Sequence, residues 1–425
     1  MMATLISFER LRFLFNRLKE RLWVRPLVVC LLSVSAVLSA KLADGTPLGS
    51  YFPELSIESV QALLSIMSAS MLVIATFSVG SMISAYSSTS NTATPRAFSL
   101  VLADDVSKNA LSTFVGSFIF SVVAITAVKN AFYGKASLFV LFVLTVVVFA
   151  MVIVTFVRWV DSIARLGRVG STIEKVDNAA LASLLRRRNA PLLGGIPITE
   201  EAQPGKEVHC SRIGYVQHID MVALQAWAEE FDVIVEVVAL PGTFTAPNQV
   251  LAYVRQASQD IADKDLSRLT KAFQIGDDRL FDDDPRFGLV VLSEIAGRAL
   301  SPGINDPGTA IKIIGTLIRL ISQWNEPAPD NCHKKVLYDR VAVPSLSVPD
   351  MFDDAFTVIA RDGAGVVEVA VRLQKALCSL ASLGDEDISK SAEYHAGLAL
   401  KRARKSLDIE EDIAHVEKAA EFWCQ

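Results

Sequence analysis

Four apolar runs in the first 160 residues constrain the fold of this 425-residue chain more than any other feature. A helix needs roughly 20 mostly apolar residues to cross the hydrocarbon core of a bilayer. Four runs meet this requirement: 26–43, 60–85, 110–128 and 136–157. The last three contain no charged residue, which would be unusual in a soluble core. Lys41 lies near the end of the first run, where its amine can reach the interface. The sequence therefore predicts four transmembrane helices.

Basic residues on either side of the membrane part indicate its orientation. Cytoplasmic flanks of membrane helices are enriched in Lys and Arg. Such residues precede the first run and follow the fourth: Arg10, Arg12, Arg17, Lys19, Arg21, Arg25, Arg158, Arg165, Arg168, Lys175, Arg186, Arg187, Arg188. With four spans both ends lie on one side. We expect a multi-pass protein of the cell inner (cytoplasmic) membrane with both termini in the cytoplasm.

After the fourth run, charged residues become more frequent, and short patterns typical of strands alternate with patterns typical of helices. The fold class predicted is a four-helix transmembrane part followed by a soluble α+β domain, with a small β-rich module and C-terminal helices. We expect a basic segment at 1–25, the transmembrane domain at 26–160, and a juxtamembrane helix and linker at 161–205. The β-rich module would occupy 206–258, and a mostly helical domain 259–425.

Individual elements of the soluble part follow from local signals. β-Branched residues predict strands at 208–218, 233–240 and 250–255, with a helix over 220–231 after Asp220 as N-cap. Asp284-Pro285 and Asp306-Pro307 are typical of helix starts, with aspartate before a proline in the first turn. Further elements are expected as a helix at 307–321, a short β segment at 336–343, and helices at 349–383 and 386–424.

Serines recur along the second apolar run and give it two interpretations. Ser78, Ser81, Ser84 and Ser88 lie three or four residues apart, so several would share one helical stripe. Hydroxyl groups along such a stripe can replace water around an ion and line a path. Small hydroxyl residues also let membrane helices approach closely. No ionisable residue lies in the middle of any run, which disfavours a proton-coupled pump.

Three polar segments outside the membrane are candidate sites, each with a structural alternative. Asn305-Asp306 could hold a ligand or act as a hinge, or could be an Asx turn with an N-cap. The triplet 186–188 could contact lipid headgroups, or could end a solvated helix. The acidic residues at 277–284 could bind a divalent cation, although their spacing lacks the glycine and distal glutamate of an EF-hand and favours a solvated loop.

No pattern in the chain indicates a catalytic residue, a metal site or a cofactor. The five cysteines are scattered, and adjacent residues such as His209-Cys210 and Cys332-His333 rarely reach one metal from a strand. No catalytic motif of the common hydrolase or nucleotide-binding types is present. The net charge of −5 argues against nucleic acid as a partner.

Three segments resemble a bacterial family of predicted membrane proteins of unknown function. They are 299–310 with its Ser-Pro-Gly-Ile-Asn-Asp-Pro sequence, 214–220 with Gly-Tyr-Val-Gln-His-Ile-Asp, and the Pro-Gly-Thr-Phe turn at 241–244. The resemblance covers nearly the whole chain. It implies an inner-membrane location and this order of domains, and it implies no activity.

The main functional hypothesis from the sequence is an oligomeric, channel-like protein of the inner membrane. The second span would line a path for an ion or small solute through a homo-oligomer, and the cytoplasmic domain would assemble and gate it. The alternative is a membrane-anchored sensory or binding scaffold without transport. A membrane-bound enzyme using Asp306 and the acidic loop is a weaker third hypothesis.

Overall fold

A computed structural model describes residues 23–45, 53, 55–102, 105–165, 168–198, 205–255, 261–327 and 336–421. Within these residues the chain forms two compact units. The membrane unit comprises 23–91 and 97–171, and the C-terminal unit comprises 92–96 and 172–421. Most of the basic segment predicted at 1–25 lies outside the described residues.

Four helices of the membrane unit are long and apolar enough to cross a bilayer, which confirms the four predicted spans. They are α1 (Val24–Ser39, continued by a 3-10 turn Ala40–Gly45), α2 (Ile57–Thr92), α4 (Asp105–Lys129) and α5 (Lys135–Arg165). A short helix, α3 (Phe98–Leu102), lies between α2 and α4. The helices extend beyond the apolar runs by up to eight residues because polar residues at their ends continue the backbone hydrogen bonding.

Helix α4 is the centre of the membrane unit, because it packs against both α1 and α5. Gly116 of α4 allows the closest approach, since a Cβ atom there would lie 2.4 Å from Cγ1 of Val29. Helix α2 contributes one stripe of side chains to the same core, including Leu64, Met71 and Ala75. Small residues commonly permit such contacts between membrane helices.

The carboxylate of Asp44 links the end of the first span to the start of the fourth. Asp44 follows α1 and accepts hydrogen bonds from the N–H groups of Gly134 and Ser137, at 2.9 and 3.0 Å. These N–H groups lie at the start of α5, where the first backbone N–H groups of a helix have no acceptor within the helix. Asp44 therefore caps α5 from a different span, and the Ser137 hydroxyl adds a third bond at 2.8 Å.

The C-terminal unit begins with helix α6 (Val169–Asn189), of which residues from Thr172 belong to this unit, and continues into two small sheets. The strands are β1 (Lys206–His209), β2 (Gly214–Ile219), β3 (Ile234–Val237), β4 (Phe244–Thr245), β5 (Val250–Arg255), β6 (Phe273–Gly276) and β7 (Val341–Ala342). One sheet has the order β1-β5-β3-β7 and the other β4-β2-β6. Only the β3–β7 pair is parallel among these strands.

Helices α7 (Met221–Glu230) and α8 (Asp263–Thr270) lie between the strands in sequence and help to bury their apolar faces. Leu224 and Trp227 of α7 pack into one core with Val235 and Leu251 of the four-stranded sheet. Asp220 accepts the Ala223 N–H at 3.0 Å and so caps α7, in agreement with its predicted role. The β-rich part is therefore larger than the predicted module at 206–258, because β6 and β7 come from beyond it.

The remainder of the unit is helical: α9 (Phe287–Ala299), α10 (Pro307–Asn325), α11 (Val348–Asp362), α12 (Val367–Ala381), α13 (Glu386–Ser406) and α14 (Glu410–Ala420). Helix α9 packs against α10 and α11, and α12 packs against α10, α13 and α14. The two long helices expected at 349–383 and 386–424 are each divided in two. Gly363 lies at the first break, and the second falls at 407–409, before the acidic first turn of α14.

Candidate functional site

A cavity of about 250 Å³ lies in the C-terminal unit where the β-rich part meets α9 and α11. Its walls come from three segments: the turn 238–243, residues 279 and 286 before α9, and residues 345–350 at the start of α11. Apolar side chains such as Leu240 and Leu346 face guanidinium and carboxylate groups across it. Concave sites that mix apolar walls with a few fixed polar groups are typical of ligand binding.

Arg279 forms one wall of the cavity and is held in place by a buried carboxylate. Its Nε and Nη2 donate to Asp284 at 2.7 and 3.1 Å, and the Asp284 side chain is only 3% exposed. Asp284 Oδ1 also accepts the N–H groups of Arg286 and Phe287, at 3.1 and 3.2 Å. The carboxylate thus fixes the Arg279 side chain and also accepts hydrogen bonds from the backbone N–H groups at the start of α9.

The turn at Gly242 packs directly on this ion pair. Gly242 has φ of +95°, and a Cβ atom there would lie 2.3 Å from Oδ2 of Asp284. Both the backbone conformation and the close approach require glycine. The Gly242 N–H donates to the Val216 carbonyl at 2.8 Å, which ties the turn to β2.

Arg286 forms the second charged wall and is oriented by two carboxylates of α11. Its Nε donates to Asp354 at 2.6 Å, and its Nη1 donates to Asp350. Asp350 lies in the first turn of α11, where its N–H donates to the hydroxyl of the N-cap residue Ser347. The N-terminus of α11, with its partial positive charge, therefore borders the same cavity.

Each of the two arginines keeps one amino group without a hydrogen-bond partner among the described residues. These atoms are Nη1 of Arg279 and Nη2 of Arg286, because the other donors of both side chains face carboxylates. Carboxylates on one side thus orient the guanidinium groups, which retain donors for a further acceptor. Arg suits such sites because its donors form a rigid fork.

A second polar contact of the C-terminal unit involves residues that directly follow α2 in the chain. Thr94 is 5% exposed, and its hydroxyl donates to Glu294 Oε2 at 3.1 Å. Arg96 Nη1 pairs with the other oxygen, Oε1, of Glu294 in the middle of α9. This hydrogen bond raises the pKa of Arg96, and Tyr215 and Asp278 nearby add to the rise. Residues 94 and 96 of the C-terminal unit are thereby joined to α9, the helix that begins beside the cavity.

A model of a family described as predicted membrane protein (DUF2254) matches residues 19–379. The chain belongs to this family. The matched region of this DUF2254 protein contains all four spans, both sheets and the residues that line the cavity. No curated protein and no solved structure matches the chain.

The four serines of α2 that the sequence singled out do not share one environment in this DUF2254 chain. Ser78 is fully buried, and its hydroxyl has no hydrogen-bond partner among the described residues. Ser81 is half-buried, whereas Ser84 and Ser88 are exposed on the single chain. The stripe therefore turns from the core of the membrane unit to its surface, and its role as a pore lining stays a prediction.

Asn305 and Asp306 lie in an exposed turn between α9 and α10. Asp306 accepts the Thr309 N–H at 3.1 Å and the Thr309 hydroxyl at 2.6 Å, so it caps α10. The Thr309 hydroxyl and N–H lower the pKa of Asp306. Asn305 has φ of +50°, a left-handed conformation that asparagine tolerates better than most residues. These contacts match the Asx-turn and N-cap alternative, and a ligand or hinge role stays a prediction.

The arginine triplet 186–188 makes contacts inside the C-terminal unit. Arg186 donates to the Asp282 carbonyl, and Arg188 Nη1 donates to the Gln323 carbonyl at 2.6 Å. Arg187 is 4% exposed, and burial lowers its pKa to about 10. Only Arg186 of the three is exposed, so the predicted contact with lipid headgroups depends mainly on that residue.

The acidic segment 277–284 is tied into the fold by polar contacts. Asp283 lies 2.6 Å from Nδ1 of His218, the Asp278 carbonyl accepts from Gln217, and Asp284 pairs with Arg279. Among the described residues, no group of three or more His, Cys, Asp or Glu side chains could hold a metal ion. Cys332-His333 lies outside the described residues.

Sequence reasoning did not identify Arg279, Arg286 or Glu294 as site residues. Arg279 lies within the acidic segment that the sequence treated as a solvated loop, and Arg286 follows it, so this alternation of charges was the available signal. Arg96 is the first charged residue after the second apolar run, but nothing local indicates its partner almost 200 residues later.

Proposed function

We propose that this protein forms a channel-like homo-oligomer in the inner membrane, in which α2 from several copies surrounds a path for an ion or small solute. One observation supports the proposal above the others: α2 packs within its own chain along one face only and leaves exposed a face on which small and hydroxyl residues recur at helical spacing. The C-terminal unit would lie in the cytoplasm, where it would assemble and gate the path.

The two faces of α2 differ in how often small residues occur. The face that packs within the chain has large residues, among them Leu64, Met67, Met71 and Met82. On the exposed face, small residues recur at helical spacing among the bulky exposed residues Ile66, Val73 and Phe77. The small residues are Ala62, Ala69, Thr76, Gly80, Ser84 and Ser87. A Cβ atom at Gly80 would meet nothing within 4 Å.

Small and hydroxyl residues suit a helix that approaches other helices or polar solute closely. Thr76 satisfies its own hydroxyl by donating to the Leu72 carbonyl at 2.9 Å, and its oxygen still offers lone pairs outward. Hydroxyl oxygens of this kind can replace part of the hydration shell of an ion. A face without ionisable groups fits passive conduction better than proton-coupled transport.

Gating would use the contact of Glu294 with Thr94 and Arg96. These two residues follow α2 in the chain by only two and four positions, so movement of α9 would be transmitted to the end of α2 through short, hydrogen-bonded backbone. Two-point contacts to one carboxylate orient the joined segments better than a single bond.

Ion flux through the full-length protein in liposomes tests the proposal. We expect flux from the wild type and its loss in Gly80→Leu/Ser84→Leu, with the oligomer measured by light scattering in detergent. Val79→Leu is the matched control, because Val79 is exposed but lies outside the small-residue face. Loss of flux in the double variant alone supports a path along this face, whether or not the oligomer also dissociates. A monomeric wild type, or no wild-type flux under varied voltage, pH and calcium, would rule out the pore.

A membrane-anchored sensor without transport is the second candidate, and the cavity beside α9 favours it. The cavity combines pre-oriented cationic groups with apolar walls, which a purely structural domain does not need. In such a sensor the spans would only anchor the protein, and binding in the C-terminal unit would be read by other proteins. Binding without flux would support this candidate over the channel.

A further inference from the structure

We propose that the cavity between the 238–243 turn and the start of α11 binds a small carboxylate or phosphate compound. This inference rests on the second candidate function, because it names the class of ligand that the cavity would sense. It does not require α2 to line a pore.

The positions of the two guanidinium groups carry the inference. Arg279 and Arg286 both line the cavity, and each is fixed by carboxylates that occupy only part of its donors. Nη1 of Arg279 and Nη2 of Arg286 remain without partners among the described residues. Side chains that are already ordered lose little entropy when they bind an acceptor. Two such donors in one cavity match the several oxygens of a carboxylate or phosphate.

Neutral donors in the lining add to this preference. Ser345 and Ser347 line the cavity, and neither side chain takes part in an ion pair. Ser347 also caps α11, a helix of 15 residues, so the positive end of that helix points towards the same space. The guanidinium groups, the hydroxyls and the helix end all favour a negatively charged ligand over a cation.

Asp350 acts against binding and sets how tightly an anion can be held. Its carboxylate lines the cavity, is 48% exposed and pairs with Arg286 Nη1. An incoming anion would be repelled by this carboxylate and would share Arg286 with it. The arrangement predicts weak, reversible binding, as expected for a site that follows the concentration of an abundant metabolite.

The size and walls of the cavity limit the ligand further. A volume of about 250 Å³ lies just below the range typical of pockets for drug-sized molecules, so only a compact compound fits. Val238, Leu240 and Leu346 provide the apolar part of the lining. A short aliphatic acid or a small phosphate ester satisfies both parts of the lining.

Binding to the full-length protein in detergent tests the inference, with inorganic phosphate and propionate as the probes. Titration calorimetry at constant ionic strength, balanced with chloride, should give saturable binding of at least one probe at millimolar concentrations. Failure of both probes to saturate would overturn the proposal.

Three variants locate the binding, and none removes Asp284 or Asp354, so each arginine keeps at least one carboxylate partner. Ser345→Asp places a negative charge on an exposed lining position and should weaken binding about tenfold, whereas the neutral Ser345→Asn should change it less than about twofold. Asp350→Asn removes the competing carboxylate and should tighten binding about fivefold. Equal affinity in all three would place the probe elsewhere and overturn the proposed site.

Flux measured on the same preparations keeps this inference separate from the channel. Binding without flux contradicts the pore and leaves the cavity site standing. Flux without saturable binding contradicts the cavity site and leaves the pore standing. Chloride alone, titrated into the same protein, distinguishes a specific oxyanion from a general effect of salt.

Discussion

The two units of the molecule satisfy their buried polar groups in different ways. In the membrane unit, three buried hydroxyls donate to carbonyls of their own helix four residues earlier: Ser112 to Lys108, Ser121 to Ser117 and Thr145 to Leu141. In the C-terminal unit, several buried charges are paired with each other: Asp284 pairs with Arg279 of the same loop, and Glu236 of β3 pairs with Arg255 of β5. The first kind of contact lies within one helix, whereas the second fixes a loop or joins two strands.

This difference decides how each unit should respond to substitution. A hydroxyl bonded to its own helix can be replaced by a small apolar residue without leaving another group unsatisfied. A buried charge cannot, because its partner would then remain charged and without compensation. The C-terminal unit should therefore be the more sensitive to single polar substitutions, and the membrane unit to changes in side-chain size.

The largest effect is expected for Asp284→Ala. The substitution leaves Arg279 beside the cavity without its bidentate partner and removes the acceptor for the first N–H groups of α9. Loss of one member of a buried pair typically costs about 3–5 kcal/mol of the free energy of unfolding. Urea denaturation of the full-length protein, followed by circular dichroism, measures the change.

Glu230→Ala is the matched control, because its pair with Arg268 is exposed on both sides. It should leave the urea midpoint unchanged. If both substitutions lowered the midpoint equally, the distinction between buried and exposed pairs in this unit would be wrong.

A smaller effect is expected for Gly116→Val in the membrane unit. A Cβ atom at this position would lie 2.4 Å from Val29 Cγ1, so α1 and α4 must separate to accept the larger side chain. Overpacking of this kind typically costs about 1–3 kcal/mol. The temperature at which the protein leaves solution, measured by size-exclusion chromatography after heating, should fall.

Gly80→Val provides the comparison, since nothing lies within 4 Å of a Cβ atom there. It should leave the heat stability of the single chain unchanged. If α2 contacts α2 of another copy, the substitution should also lower the fraction of protein that is oligomeric. Equal loss of heat stability in both glycine variants would show that exposure of a glycine in the single chain does not predict whether it tolerates a larger side chain.

The sequence could predict the membrane unit because its signal is local. Apolar runs of 18 or more residues define spans by length alone, and each predicted run lies within an observed helix or its 3-10 extension. The face of α2 that packs within the chain was harder to predict from the sequence. Serine spacing suggested one stripe, but Ser78 is buried and Ser84 is exposed, because the packing of α2 on α4 and α5 selects the face.

In the C-terminal unit, helix caps were predictable and long-range pairs were not. Asp220 and Asp306 cap the helices that follow them, as their local sequence indicates. Strand β6 was missed because it has four residues and gains its stability from pairing with β2. The cavity depends on three segments that lie up to about 100 residues apart, so no local pattern could indicate it.

Glu294→Gln should have little effect on stability and a specific effect on residues 92–96. The pair with Arg96 is partly exposed, and such pairs typically contribute about 1 kcal/mol or less. Without the charge, Thr94 and Arg96 should be held less firmly. Hydrogen exchange by mass spectrometry should show faster exchange in peptides that contain 92–96.

Asp177→Asn is the control for this experiment, because Asp177 pairs with Arg319 elsewhere in the same unit. Exchange in 92–96 should be unchanged in that variant. Faster exchange in both variants would indicate general loosening of the unit, and no change in either would contradict the role given to Glu294.

The last expected effect concerns pH and His395 of α13, which is buried against Phe352 and Phe356 of α11. Burial lowers the pKa of His395 below its ordinary value of 6.5, although Asp353 partly opposes this shift. The unfolded chain therefore takes up a proton at a higher pH than the folded chain does. Stability should be constant above the unfolded pKa and should fall as pH drops through it towards the folded pKa, by at most about 1.4 kcal/mol per pH unit for one proton.

Urea midpoints of the wild type and His395→Phe, measured between neutral and mildly acidic pH, isolate this contribution. Phenylalanine keeps the contact with the two aromatic rings and cannot take up a proton, so the midpoint should depend less on pH than in the wild type. His209→Gln is the control, because His209 is exposed and pairs with the exposed Glu207; it should retain the wild-type dependence. Parallel pH profiles for the wild type and His395→Phe would mean that carboxylates, not this histidine, control the acid stability of the C-terminal unit.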